Sequence, residues 1–265
     1  MWSPAIPPSL PRLAVRPIGP RHRQRLALVI LAVMLAVLPF PAGSASRPDP
    51  AQVESGIVKQ TNDFRRQHDR EPLQVDPRLA EAAGDFAAFM ARTGRYGHGA
   101  GGSTPAQRAK AAGYEYCTIA ENIAWQYNSA GFTTDALTAA FMQGWRTSPE
   151  HRRNMLRAGL TEIGVGVARS ADSGRWYAVQ LFGRPESLRR SFSIQNSAGV
   201  SVSYQLGDES FTLPPRYTRT HRICQPATLR LRWADGQGGT SLEPEDGDEL
   251  RIVRGNDGGL QLQGR

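Results

Sequence analysis

His98, Glu121 and His151 are the residues of this chain whose types and settings suit chemistry. They lie in Tyr96-Gly97-His98, in Glu121-Asn122-Ile123-Ala124, and in the run 145–156, which holds Trp145, Ser148, Pro149, Glu150, His151 and Asn154. Neutral imidazoles are good zinc ligands, and two of them with a carboxylate make a three-ligand site with an open fourth position. A metal held there polarises a carbonyl or lowers the pKa of a bound water. His98 and His151 are therefore the candidate metal ligands and Zn2+ the candidate cofactor. His98, Glu121 and His151 together form the candidate catalytic cluster. Their spacing lacks the i, i+4 histidine pair of a helical metalloprotease motif. A second reading stays open, a hydrogen-bonded cluster in which Glu121 holds both imidazoles and fixes the loops. Ser148 with His151 and Glu121 also supplies the residue types of a serine, histidine and carboxylate set. A serine directly before Pro149 reads more simply as an N-cap whose oxygen accepts a backbone N–H.

The elements that must bring these residues together are mostly helical before Arg184-Pro185. Asp49-Pro50 and Asp76-Pro77 are N-caps followed by proline at the first helical position. The first leads into Val53, Ile57 and Phe64. The second leads into Leu79, Ala83, Phe86 and Met90, with Gly94 as C-terminal cap. Thr104-Pro105 starts a third helix that ends at Gly113. Thr133 or Thr134 caps a fourth, whose Leu137, Phe141 and Trp145 form a core-facing stripe. Ser148-Pro149 closes it and opens a short fifth helix with His151 as its third residue. Two strands follow. Ile163, Val165 and Val167 alternate with Glu162, Gly164 and Gly166, and the glycines imply close backbone packing. Residues 176–182 are almost continuously apolar, as a strand buried on both faces requires, and 170–174 make the turn between the two. Helices ahead of strands predict an α+β fold. Asn122 is expected to bond a neighbouring loop, and His68, beside Asp69, to be a solvated surface side chain.

Residues 185–265 carry no motif that names a function. The stretches 191–194, 200–206, 211–213, 229–233 and 250–253 read as short strands, separated by clusters of Gly, Pro, Asp and Asn. Leu229, Leu231 and Trp233 alternate with Arg230 and Arg232, which predicts a sheet with one wet face in a small β-sandwich or partial barrel. His221 lies here without an acidic neighbour in sequence.

Several motifs in order resemble the bacterial branch of the CAP (SCP, pathogenesis-related 1-like) superfamily. They are Asn62 and Arg66, the segment 73–79, Gly97-His98, Arg108, Gly113-Tyr114, Glu121 to Ala124, the run 145–156, Ile163-Gly164-Val165-Gly166 and the segment 176–183. Together they cover about residues 52–183. The resemblance implies an α-β-α sandwich, secretion, and a groove lined by two histidines and one or two glutamates. It places His98, Glu121 and His151 at the first histidine, first glutamate and second histidine. The second family glutamate falls three residues after the helix tryptophan, and here that position is Ser148. Glu150 adjoins His151 on a helix, where consecutive residues point about 100 degrees apart, so it is a poor substitute. Many members resemble binding or signalling modules, some are similar to sterol or lipid carriers, and a few have been proposed as proteases.

The N-terminal 46 residues hold five arginines and no acid, then an apolar run from Leu26 to Phe40 and small residues at 42–46. This is the pattern of a signal peptide, too short to span a bilayer. A retained N-terminal anchor is the alternative. The expected organisation is a signal peptide (1–46), a CAP-like domain (47–184) and a β-rich extension (185–265), in a secreted or periplasmic protein with no transmembrane span once mature. The chain has 32 basic and 24 acidic side chains. Removing the leader's five leaves a small surplus without a clustered basic face, so nucleic acid is not an expected partner. An oxidising exterior lets Cys117 and Cys224, the two cysteines, pair, stapling the second half beside the site. Three functions follow. One is a binding module for a small apolar ligand, lipid, sterol or cell-envelope component. The second is a metal-assisted hydrolase, and the third a structural protein acting through its β half. A binding module fits better than an enzyme.

Overall fold

A computed structural model describes residues 47–232, 239–256 and 258–264. The expected signal peptide, 1–46, and Trp233 lie outside them. Helix α1 (Pro50–Arg66) starts where the Asp49 carboxylate accepts the Ala51 N–H at 3.0 Å. Helix α2 (Pro77–Thr93) is capped by Asp76, which accepts from Arg78 and Leu79, and stops at Gly94 in the left-handed region with φ 67°. Helix α3 (Pro105–Ala111) opens on a reciprocal box between Thr104 and Gln107 and ends two residues before Gly113. Thr133 caps α4 (Thr134–Thr147), and α5 (Pro149–Leu156) follows directly. The cap side chains satisfy N–H groups that a helix start leaves without partners.

Between the helices runs a four-stranded sheet in the order β1 (Gln74–Val75), β3 (Glu162–Arg169), β4 (Trp176–Pro185), β2 (Tyr116–Gln126). Only β1 and β3 are parallel. The strand β2, missing from the sequence reading, lies between α3 and α4 in the chain, so helices and strands interleave rather than segregate. On β4 the side chains alternate: Trp176, Ala178 and Phe182 join the core under α1, α4 and α5, while Tyr177, Val179 and Leu181 join the core under α2 and α3. This is the expected α-β-α sandwich. Trp145 and Phe141 are wholly buried in the first core, where truncating such a ring to alanine costs about 3–5 kcal/mol. Gly164 and Gly166 face α2 so closely that a Cβ would lie 2.1 Å from the carbonyl carbon of Leu79 and 2.2 Å from the nitrogen of Gly84. The two backbones touch there, and no larger residue fits.

After a 3-10 turn (Glu186–Leu188), the remaining residues form a β-sandwich. One sheet orders β12 (Leu260–Gln263), β11 (Glu249–Arg254), β5 (Arg190–Asn196), β8 (Thr218–Ile223). The other orders β10 (Gly239–Leu242), β9 (Leu229–Arg232), β6 (Val202–Leu206), β7 (Glu209–Leu213). Phe192, Ile194, Tyr204, Leu229, Leu231 and Ile252 fill the space between them. Leu229 and Leu231 point inward and Arg230 is exposed, as alternation requires. Strands β8, β10 and β12 escaped the sequence reading. Cys117, on β2, is bonded to Cys224, just past β8, across 107 residues. The described residues thus form an α+β chain of an α-β-α sandwich and a smaller β half.

Candidate functional site around Glu121

Glu121 stands in the middle of β2, opposite Leu181 of β4, and therefore on the α2 and α3 side of the sheet. Its side chain is 1% exposed. A buried carboxylate needs partners for both oxygens, and it has them. Oε1 lies 2.7 Å from Nδ1 of His98, and Oε2 accepts from Arg108 at 2.7 Å. Arg108 reaches this place from α3, its guanidinium stacked 3.5 Å above the Phe86 ring centroid. It also donates to the carbonyls of His98 and Ser103, which ties the whole 98–103 loop to the carboxylate. The half-exposed His98 ring, 52% open to solvent, is held at one nitrogen by buried groups and presents the other outward. A carboxylate only accepts hydrogen bonds. The shared proton therefore sits on Nδ1, and in the neutral form of the ring the lone pair is on Nε2.

His151 approaches β2 from the opposite side. Asn122, next to Glu121 and pointing to the other face, is fully buried. Its Nδ2 donates to the His151 carbonyl at 3.1 Å and to Gln180 at 3.0 Å, while its Oδ1 accepts from Asn154 at 2.9 Å. Gln180 passes the chain on to Thr61 of α1 at 2.7 Å. The partners expected for Asn122 in a loop are thus in helix α5 and strand β4. This network sets the position of His151 around the sheet's edge strand, within electrostatic reach of His98. Burial, and then the charge of His98, pulls the His151 imidazole below the ordinary histidine value, with Glu150 acting weakly the other way. Tyr96 borders the same place: its hydroxyl donates to the Ile123 carbonyl at 3.1 Å, and burial followed by the Glu121 charge pushes its phenol up.

Three expectations change at this level of detail, and one burial was not foreseen. Glu121 does not hold both imidazoles: one oxygen orients His98 and the other accepts from Arg108. Ser148 occupies the N-cap position of α5, but its hydroxyl makes no capping bond, and only its carbonyl joins the helix, accepting from Arg152 at 2.9 Å. His68 is partly buried rather than solvated, with Nδ1 2.8 Å from the Phe64 carbonyl and Nε2 2.9 Å from Arg152. Arg66 pairs with Asp63 at the surface, whereas the buried arginine is Arg65, which donates to the carbonyls of Glu71 and Met155. Burial lowers the Arg65 guanidinium to about 10. Arg108 is the site residue that the candidate cluster left out, although it stood among the motif residues. Among the described residues no three of His, Cys, Asp or Glu gather as a metal-binding group. Two imidazoles alone would leave half of a tetrahedral shell to water or ligand.

Residues 58–182 match the model of the cysteine-rich secretory protein (CAP) family. A curated protein of Bacillus subtilis, the uncharacterized protein YkwD, is 30% identical over 132 residues, which are 49% of this chain and 47% of that protein. The chain therefore spans about half the length of the curated relative it matches. Among solved structures, an extracellular SCP-domain protein of Bacillus anthracis is 26% identical, covering 51% of this chain and 41% of its own, with a TM-score of 0.44. An outer surface protein of Borrelia burgdorferi is 18% identical, covering 54% of this chain and 99% of its own, with a TM-score of 0.46. The ordered motifs, the matching family model and the Bacillus subtilis relative converge on the sandwich that holds Glu121, and residues 58–182 of this chain form a CAP-family domain of the bacterial type.

Proposed function

We propose that the chain works outside the cytoplasm as a binding module. The His98, Glu121 and His151 cluster anchors the polar end of a small apolar ligand, a lipid or sterol, or another cell-envelope component. The observation that carries this reading is the buried Glu121, which spends both oxygens on presenting one half-exposed imidazole. Burying a carboxylate costs free energy unless it is fully paired, and here the arrangement leaves His98 Nε2 as an outward acceptor. The secreted setting is supported by the disulfide, which an oxidising exterior favours. No helix among the described residues is long and apolar enough to cross a membrane. If Zn2+ binds, His98 and His151 would hold it, and it would supply Lewis acidity toward a ligand oxygen. Calorimetric titration with Zn2+, and separately with cholesterol or phosphatidylglycerol in detergent micelles, compares the wild type with a His98→Ala, His151→Ala double variant of intact fold. Saturable binding of at least one probe that the variant loses supports the anchor. Binding of none, or equal binding by both proteins, removes it.

A second reading, a hydrolase, has one observation in its favour. A carboxylate on Nδ1 of an imidazole is the arrangement that prepares Nε2 to take a proton. It predicts peptide or ester hydrolysis that disappears in the same double variant.

A further inference from the structure

The strands β2, β3 and β4 end side by side, with Gln126 opposite Trp176 and Arg169 opposite Trp176 in the register. The loops leaving them, 127–133 and 170–175, frame a cavity of about 340 Å³. A second cavity of about 360 Å³ shares Gly131, Phe132, Arg169 and Trp176 with the first, so the two make one trough. Each is the size of a small-molecule pocket. None of the lining residues belongs to the Glu121 cluster.

The walls are of two kinds. Trp176 is buried, Phe132 is half-buried, and Tyr127 stands 56% exposed beside them, which gives the trough aromatic faces. Arg169 borders both cavities and Arg47 the second. Among the described residues neither guanidinium has a hydrogen-bond or carboxylate partner, and the carboxylate of Asp172 has none either. Some arginines elsewhere are held by carboxylates, Arg108 on Glu121, Arg78 on Asp76 and Arg189 on Glu186. Others, such as Arg92 and Arg230, stand exposed. Arg169 differs from both groups in bordering a trough with aromatic walls. A guanidinium left open beside aromatic rings suits a planar anion, which it binds through two parallel N–H donors.

The ligand must satisfy both walls. An inorganic anion gains nothing from Trp176, Phe132 and Tyr127. A fatty acid would pair with Arg169 but leave Asp172 and the hydroxyl of Ser129 against hydrocarbon, unpartnered and therefore costly. A sugar ring presents C–H faces to aromatic side chains and hydroxyls around its rim. With a carboxylate attached, it also has the group that Arg169 lacks. We propose that this trough is a second binding site, separate from the Glu121 cluster, and that it takes a saccharide bearing a carboxylate.

The test is calorimetry on the full chain with three probes: a hyaluronan tetrasaccharide (carboxylated), chitotetraose (neutral) and laurate. The expected result is saturable binding of the acidic tetrasaccharide and about tenfold weaker binding of the neutral one, the ratio for one lost charge-assisted contact. Arg169→Met should weaken the acidic probe by about the same factor and leave the neutral one unchanged. Tyr127→Ala should weaken both saccharides. Both side chains are exposed, so the variants are expected to fold, with circular dichroism as the control. The His98→Ala, His151→Ala variant should bind the acidic tetrasaccharide like the wild type, which separates this site from the proposed anchor. Absence of saturable binding, equal affinity in Arg169→Met, or a preference for laurate would overturn the proposal.

Discussion

His98 in the sandwich and His221 in the β half each bond a side-chain oxygen, at 2.7 Å from Glu121 and 2.6 Å from the Tyr204 hydroxyl. Their surroundings use that bond in opposite ways. Around His98 the carboxylate is buried and the ring half exposed. Around His221 both partners are buried, the ring stacking on Phe192 and meeting Phe211 edge-on. In the first region a buried polar group holds a nitrogen out to the exterior. In the second the hydrogen bond lets a polar ring sit in an apolar core at little cost. A histidine with a partner is therefore weak information by itself; which member of the pair is hidden tells presentation from packing.

The sharpest way to break the comparison is to let the two regions part. Replacing Cys117 and Cys224 by serine should lower stability by up to about 4–5 kcal/mol on the chain-entropy account of a loop this long. Differential scanning calorimetry should then show two transitions in place of one. A single unshifted transition would mean that noncovalent contacts alone couple the halves.

A smaller effect is expected inside the first region. Arg108→Met leaves a buried carboxylate with one partner fewer, a loss of about 3 kcal/mol or more, measurable by urea unfolding. NMR should also show faster exchange of the His98 Nδ1 proton as the 98–103 loop loosens. If stability falls without any change at His98, Arg108 serves the core and not the presentation of the imidazole.

Acid should act on the second region. Burial first, and then Arg219, lowers the His221 imidazole below its ordinary value of 6.5, with Glu209 opposing. The unfolded chain then binds the proton more readily than the folded one, so stability is full above 6.5 and is lost as pH falls below it. The melting temperature should drop between neutral pH and about 5, and His221→Phe with Tyr204→Phe should flatten the drop. His151, lowered in the same direction, leaves a residual slope. A pair of phenylalanines that leaves the profile unchanged would acquit His221. The smallest effect belongs to Glu150→Ala. Its partner Arg153 is as exposed as it is, and exposed pairs contribute little, so no measurable change in melting temperature is expected although Glu150 adjoins His151.

How much of this was legible in the sequence depended on whether the cause was local. Asp49-Pro50, Asp76-Pro77 and Gly94 announced helix ends because capping is chemistry between neighbours. The apolar run of β4 and the glycines of β3 read correctly for the same reason. Strand β2 did not, because Glu121 and Asn122 place buried polar groups at its centre, and their partners lie on elements distant in sequence. Of the adjacent arginines, Arg65 is the buried one, a fact set by the carbonyls it meets 90 residues away. The cluster residues were visible by type, while Arg108, the residue that makes the cluster hold its shape, needed three dimensions.

The bond between Cys117 and Cys224 also imposes an order on assembly. Every strand and helix of the sandwich is complete before residue 224 exists on a growing chain, so Cys117 has no partner thiol until strands β5 to β8, the first four of the β half, have followed it. Closure then requires the sandwich and the first four strands of the β half to have come together. A chain that stops anywhere in those 107 residues lacks the second cysteine, so its Cys117 stays an open thiol four residues from Glu121.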